Sequence, residues 1–456
     1  MTETRWHSDV IENLLAGSWR IDVNGWIFVR AQGDPYHIGF QNGHLLAHEI
    51  QDTIEAQKVY VEGAYKRDWQ FFRETSMNLY WPKITGEYRA EIEGIANGVR
   101  AAGVSGIGLE DIVSLNGFDD TVSYHYWLKA NESRSAGSTG REEHCSAFIA
   151  TGKATCDGKI VIAHNTWSSY LIGRCNIIVD LCPASGKGFL MQAHPGSLSS
   201  GTDWFLGRSG LLITETTITG MNTFNPEGTP YFMRARKAVQ YADTIDEWVK
   251  IMVEGNNGGY ANDWLVGDIK TSEIAWLELG TFNHALDRTY DGVFFGSNVA
   301  TSEQVRSETK FNYSDPSGSC TARNERWKQL VESNKTLLNA DVAKGFLADH
   351  HDTFSGKDIP NRNTLCGHLE LDDRGAPEWH CAPYYPSGAY DGKVTDSVLA
   401  SSGSFWAHWG KPCDTDFNAA SFLAQHPEYS WQKSRLRDIK AYPWTLFKAA
   451  SKWEIS

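Results

Sequence analysis

The sequence predicts an α+β domain, in which helix-rich and strand-rich blocks pack in layers. Three observations carry that prediction. Helical periodicity dominates the chain up to about residue 130. A polar stretch, "KANESRSAGSTGREEH" (129–144), then interrupts all apolar periodicity. Immediately after it, at Cys145, short apolar runs of strand length begin and recur to about residue 280.

The elements follow in order. "GWIFVRAQGDPYHIGFQNGHLLAHEI" reads as a strand, a Gly-Asp-Pro turn and a helix, and Gly39 and Gly43 on one helix face permit close packing. "YRAEIEGIANGVRAAG" is an amphipathic helix with Tyr88, Ile92, Ile95 and Val99 on one stripe. A further helix is expected over "LEDIVSLNGFDDTVSYHYW". After the polar stretch, "CSAFIATGKAT" and "KIVIAHNTW" flank Asp157-Gly158, a strong hairpin signal. Strands are expected in "NIIVDLC", "GFLMQAH", "GLLITETTITG", "DWLVGDIK" and "EIAWLELG", and a helix in "EWVKIMVEG". From about residue 325 onward, helices and long loops are expected. The chain divides into a mostly helical segment, 1–144, and a second segment, 145–456, both belonging to one fold.

Composition narrows the function. The 456 residues carry 41% hydrophobic and 21% charged side chains, an ordinary globular balance with enough apolar mass for a large core. A net charge of −14 without basic runs argues against nucleic acid and anionic membrane surfaces as partners. No window approaches the roughly 20 apolar residues of a membrane helix. The start, "MTETRWHSDVIENLLAGSWRID", has no signal-like apolar region, so the expected location is cytoplasmic; a signal removed before this numbering would make it secreted or lysosome-like. The eight cysteines form no CxxC pair and none has zinc-ligand spacing with histidine. No metal or cofactor is expected.

Cys145 stands between an expendable loop and a buried hairpin. Cleavage of the His144–Cys145 bond would give it a free α-amine with a pKa of roughly 8. That amine could take the thiol proton and later return it to a leaving group, so that one residue supplies both nucleophile and base. The thiol would then be exposed and the most reactive of the eight, the others being largely buried. A two-residue Asp157-Gly158 turn would set Thr151 opposite His164 and Cys145 opposite Tyr170. His164 would then share a face with Cys145 but lie well along the strand from it. From the spacing alone, a buried structural cysteine at a strand start is the simpler reading.

These residues also carry a resemblance. "CSAFIATGKATCDGKIVIAHNTWSSY" resembles the start of the catalytic chain in phospholipase B-like proteins. "HPGSLSSGTDWFLGRSGLLITETT", "NNGGYANDWLVGDIK" and "YPSGAYDGKVTDS" are similar to later segments of that family in the same order. Upstream, "GDPYHIGFQNGHLLA" and "EIEGIANGVRAAGVSGIGLEDIVSLN" are like the helices of acyltransferases related to isopenicillin N acyltransferase. The resemblance implies a four-layer αββα N-terminal-nucleophile fold activated by self-cleavage between His144 and Cys145. It implies Cys145 as nucleophile and Asn262 as an oxyanion-holding amide. His164, Trp167, Thr217, Asn298 and Arg306 are implied to line the site. The implied activity is hydrolysis of an acyl amide or ester of a small molecule or lipid through an S-acyl enzyme. Penicillin-acyltransferase-type amidase or acyl-transfer activity, and a non-catalytic binding protein on the same scaffold, stand as alternatives. A homodimer is compatible with the sequence. "HNTWSSY" lacks the acid that the acyltransferases carry after the hairpin, which favours the phospholipase B-like branch. The rival chemistry is metal binding at "DHHDTF" (Asp349–Phe354); "ELDDRG" (370–375) lacks spaced calcium ligands.

Overall fold

The computed structural model describes residues 7–133 and 145–450. The strands β1 (Trp19–Val23) and β2 (Trp26–Gly33) form a hairpin. After the helices come β3 (Ser146–Gly152), β4 (Gly158–Asn165), β5 (Trp167–Ser169), β6 (Ile177–Pro183), β7 (Phe189–Ala193), β8 (Phe205–Gly207) and β9 (Leu211–Thr217). Two helices precede β10 (Asn262–Asp268), β11 (Glu273–Leu279), β12 (His284–Thr289) and β13 (Gly292–Gly296). The C-terminal part adds β14 (His351–Asp352), β15 (Lys357–Asp358), β16 (Ser387–Ala389), β17 (Asp391–Asp396), β18 (Ser404–Trp409) and β19 (Thr445–Lys448). The fold is mixed α/β, with one nine-stranded sheet ordered β1-β2-β6-β7-β8-β9-β10-β11-β12 and one six-stranded sheet ordered β13-β3-β4-β17-β18-β19. Because β2 pairs with β6 in parallel, the segment before residue 133 shares a sheet with the segment after 145.

Three apolar clusters follow from strand alternation. On β3, Phe148 and Ala150 pack with Trp327, Leu330 and Phe346 of the helices Ser319–Ser333 and Ala340–Leu347. Ala147 and Ile149, on the opposite face, pack with Ile178, Leu190, Leu212 and Leu265 of the nine-stranded sheet. The other face of that sheet, through Val29, Ile177, Val179, Ile213 and Trp264, meets the helices of the first third and the helices Tyr231–Tyr241 and Ile245–Val253. The inner strands of both sheets are therefore largely covered on both faces, which explains why most of them read as continuous apolar runs.

Glycine spacing fixes the closest helix pair. The helices Pro35–Leu45 and Gly86–Ala101 touch backbone to backbone. A Cβ on Gly39 would sit 1.9 Å from the Glu91 carbonyl oxygen, and one on Gly43 2.1 Å from that of Ile95. Reciprocally, a Cβ on Gly98 would sit 2.2 Å from the Phe40 carbonyl oxygen.

Helices and loops dominate after residue 325, although β17 and β18 there are inner strands of the six-stranded sheet. One expectation is corrected. The β3–β4 connection is not a two-residue Asp157-Gly158 turn. Ala147, rather than Thr151, pairs with His164, a slip of four residues. Residues 153–157 form a longer loop held from outside: Lys153 N–H donates to Asp291 Oδ1 (2.7 Å) and Cys156 N–H to the Leu338 carbonyl (3.1 Å). Gly152 and Gly158, with φ of 66° and 77°, supply the left-handed bends at its ends. A slip by an even number keeps every side chain on its expected face.

Candidate active site

Cys145 immediately precedes β3, an inner strand of the six-stranded sheet, and is buried. The corrected register brings His164 opposite Ala147, two positions from Cys145 rather than far along the strand. The Cys145 Sγ, a ring nitrogen of His164 and a carboxylate oxygen of Glu215 all lie within 4.8 Å of one another. Glu215 comes from β9 of the other sheet. His144, and with it the expected cleavage bond, lies outside the described residues.

On one side of Cys145 its carbonyl is anchored by Arg323, a fully buried residue of the Ser319–Ser333 helix. Nη1 donates to the Cys145 carbonyl (2.9 Å) and Ser146 Oγ (3.1 Å), and Nη2 donates to Asn298 Oδ1 (2.7 Å). The guanidinium stacks 4.8 Å from the Trp167 ring, which itself packs edge-on against Trp379 at 5.6 Å. Asn298 lies two residues beyond Gly296, the partner of Ala147, so it arrives alongside Cys145. Its left-handed backbone (φ 70°) turns the chain there, and its Nδ2 donates to the Thr217 carbonyl at 2.7 Å. Ser146 N–H donates to Asn165 Oδ1 at 3.0 Å, fixing the start of β3 against the end of β4.

On the other side lies an acidic, tyrosine-rich cluster. Thr217 pairs with Asn262 across β9 and β10. The Asn262 amide, oriented with its nitrogen toward acceptors, donates to Glu215 Oε2 (2.8 Å) and the Ala261 carbonyl (2.9 Å). Thr217 Oγ1 donates to Tyr260 Oη (3.0 Å), whose hydroxyl faces Glu215 Oε1 at 3.4 Å. The Asp203 carboxyl accepts from the Tyr231 hydroxyl. Burial lifts it above the usual carboxylate range.

The electrostatics leave the thiol neutral. Burial, and next the Glu215 charge, push the Cys145 thiol well up, while the Trp167 backbone N–H and Lys393 oppose. Burial, reinforced by Lys393, pulls His164 well down. Lys393 pairs with His164 across β17 and β4 and is held by Thr166 Oγ1 (2.7 Å) and Asp391 Oδ1 (2.9 Å). Neither ring nitrogen of His164 has a well-formed hydrogen bond among the described residues; the Glu215 carbonyl lies nearby. In this structure residue 145 is covered and Cys156 is the exposed thiol, whereas the expected exposed and most reactive Cys145 is that of the chain cleaved before it.

A cleft enclosing about 470 Å³, mouth included, opens beside the site between Tyr126, Thr219, Met221 and Gly258, with Thr217, Ala261 and Trp379 in its wall. Thus Cys145, His164, Trp167, Thr217, Asn262 and Asn298 come together. Arg306 does not join them: its Nε donates to the Ala300 carbonyl (2.6 Å) and its guanidinium lies 5.4 Å from the Tyr313 ring. Sequence reasoning missed Glu215, Asp203 and Arg323. The acid inside the apolar run "LLITETT" was a usable signal for the first; nothing in the sequence marked Arg323 as buried. "DHHDTF" does not converge as a set. Asp349 pairs with Arg326 (2.6 Å), His351 with Asp358 (2.7 Å), and Asp352 accepts from its own turn. In "ELDDRG", Glu370 is tied to Lys411 and Asp372 to Arg374.

Residues 37–282, more than half of the chain, match the Phospholipase B family. The chain belongs to that family. The matched segment contains Cys145, His164, Trp167, Asp203, Glu215, Thr217 and Asn262, while Asn298 and Arg323 lie beyond it. Among relatives, an uncharacterized protein of Archaeoglobus fulgidus is 27% identical over 260 residues, covering 55% of this chain and 42% of its own. Human phospholipase B-like 1 is 25% identical over 256 residues, 53% of this chain and 43% of its own. Phospholipase B-like protein F of Dictyostelium discoideum is 31% identical over 137 residues, 28% and 24%. The alignments span less than half the length of each of these relatives. No helix among the described residues is long and apolar enough to cross a membrane.

Proposed function

We propose that this chain is a self-processing cysteine hydrolase of the four-layer αββα N-terminal-nucleophile type, acting on an acyl ester or amide. The observation that carries the reading is the convergence of Cys145 Sγ, His164 and Glu215 within 4.8 Å at the start of an inner strand. The two sheets with their inner strands largely covered on both faces, and the family membership, support it.

In the first step the Cys145 thiol attacks the His144 carbonyl carbon. The peptide C–N bond breaks, a thioester forms, and the thiol proton, relayed by the neighbouring imidazole or carboxylate, ends on the freed α-nitrogen. Water then hydrolyses the thioester, releasing the His144 carboxylate and regenerating the thiol. A buried, neutral thiol suits a latent state closed to external substrates. In the mature enzyme the α-amine takes the thiol proton. The thiolate attacks the substrate carbonyl, and the amine returns the proton to the leaving alcohol or amine. Asn262, released from Glu215 on rearrangement, donates to the oxyanion. Water then resolves the S-acyl enzyme; an amine acceptor at that stage would make the same site an acyltransferase.

Intact-mass measurement of the purified chain tests the first step. Two chains are expected, the larger beginning at Cys145, with Cys145→Ala remaining whole. A wild-type chain that stays whole while hydrolysing acyl substrates would refute the amine-as-base mechanism; one that stays whole and inert would favour the non-catalytic binding scaffold.

A further inference from the structure

A second cluster lies outside the site just described. His350, Cys366, His368 and Cys413 place one ligand atom each within 4.8 Å of one another. They come from three separate stretches, the start of the β14 hairpin, the loop before the short Leu369–Leu371 helix, and the loop after β18. That dispersal is why no zinc-ligand spacing is visible along the chain. Cys366 and His368 are buried, while His350 and Cys413 are partly exposed, which leaves an entry path.

We propose that these four side chains form a tetrahedral Zn²⁺ site that clamps the 350–368 segment to the loop bearing Cys413. The distances fit one ion. Nε2 of His368 lies 3.2 Å from His350 Nε2, 3.4 Å from Cys413 Sγ and 3.5 Å from Cys366 Sγ. Ligands bound tetrahedrally at roughly 2.0–2.1 Å (nitrogen) and 2.3 Å (sulfur) stand about 3.3 Å apart for a nitrogen pair and about 3.6 Å for nitrogen and sulfur. One imidazole nitrogen has a single proton or lone pair and cannot satisfy three such neighbours by hydrogen bonding. A shared cation can.

The surroundings point the same way. His368 Nδ1 lies 3.0 Å from Glu370 Oε1, and Glu370 is in turn paired with Lys411. Donation from Nδ1 to this carboxylate, which lies closer than Lys411 Nζ (3.2 Å), leaves the Nε2 lone pair for the cluster, as in carboxylate–histidine–metal arrangements. Two thiols and two imidazoles select a borderline-soft ion such as Zn²⁺ over Mg²⁺ or Ca²⁺. Four protein ligands leave no open position, so the ion is structural. What it braces is specific. The Leu365 carbonyl, one residue before Cys366, accepts from Asn165 Nδ2 at 2.8 Å, and Asn165 Oδ1 accepts from Ser146 N–H at 3.0 Å. The clamp thus supports the residue that fixes the start of β3.

The test uses the full chain, stripped with chelator and dialysed against ZnCl₂ under reducing conditions. One tightly held Zn²⁺ per chain is expected, with a rise in Tm. Co²⁺ in its place is expected to give the visible absorption of a tetrahedral thiolate complex. Cys413→Ser and His350→Gln, at the partly exposed ligands, keep the buried pair intact and are expected to fold while losing the bound metal and the Tm rise. Substoichiometric Zn²⁺ on the wild type would overturn the proposal, as would binding unchanged in both variants. So would a Cys366–Cys413 disulfide found by non-reducing peptide mapping of untreated protein.

Discussion

Replacing Arg323 with methionine keeps the apolar stem but removes the group that holds Cys145 in place. The guanidinium makes four hydrogen bonds, to the Cys145 carbonyl, Ser146 Oγ, Asn298 Oδ1 and Ser319 Oγ, at 2.7–3.1 Å. Bonds to a charged group contribute about 1.5–3 kcal/mol each, and stranded buried acceptors cost about 1–3 kcal/mol each. Against this stands the relief of no longer burying a cation, which burial already disfavours enough to pull the Arg323 pKa down. The balance is a destabilisation of about 3 kcal/mol. The effect on chemistry is expected to be larger in proportion. A shift of about 1 Å in a reacting group costs about 10²-fold in rate, and the Cys145 carbonyl and Asn298 would both lose their anchor. Urea unfolding should be measured in a Cys145→Ala background, where processing cannot intrude, and the appearance of the Cys145 amino terminus timed in the otherwise native chain. Arg323→Lys keeps the charge but not the fork and should fall between the two. Processing at the native rate, with a stability loss under about 0.5 kcal/mol, would refute the anchoring role.

Other predictions follow from the same geometry. Asn262→Ala should raise the acyl-transfer barrier by about 3–4 kcal/mol and, by stranding Glu215 Oε2 and the Ala261 carbonyl, lower stability by about 1–3 kcal/mol; activity within a few-fold of native, read from kcat/KM, would assign the oxyanion to backbone amides. Gly98→Ala should destabilise by roughly 1–3 kcal/mol or more, because its Cβ would lie 2.2 Å from a backbone oxygen that cannot move aside, and a chemical melt within 0.5 kcal/mol of native would contradict that packing. Buried Asp120, lifted by burial to about 6 from 3.8, binds its proton more tightly when folded. Its contribution therefore falls as pH rises from about 4 to 6, by about 3 kcal/mol in all. Asp120→Asn should remove that slope from a pH series of urea melts, and an unchanged slope would refute it.

The inner strands β3, β4, β6, β7 and β9 were legible because both their faces are buried and largely apolar, and the Gly39–Gly43 pair announced a close helix contact that the structure shows. The hairpin register was not, since Asp157-Gly158 is a local signal and the loop is held by Asp291 and Leu338 from distant parts of the chain. β17 escaped notice for a different reason. Its buried Asp391, Lys393 and Thr395 satisfy one another and their neighbours, and such a strand has no apolar alternation to read. Charge also hid Arg323, as an arginine on a helix reads as solvated unless its partners are known. Cys145 was legible through its boundary position, but the acid beside it comes from the other sheet, a pairing that only the packing of two layers creates.

The central claim is that Cys145 carries the acyl group. The direct measurement is acid-quenched mass spectrometry of the processed chain during turnover of a lysophospholipid or an activated acyl ester, with peptide mapping of the adduct. An increment equal to the acyl group is expected on the peptide that begins at Cys145, removed by hydroxylamine and absent from Cys145→Ala. Turnover with no adduct at residue 145, or with an adduct that survives in Cys145→Ala at native rates, would contradict it.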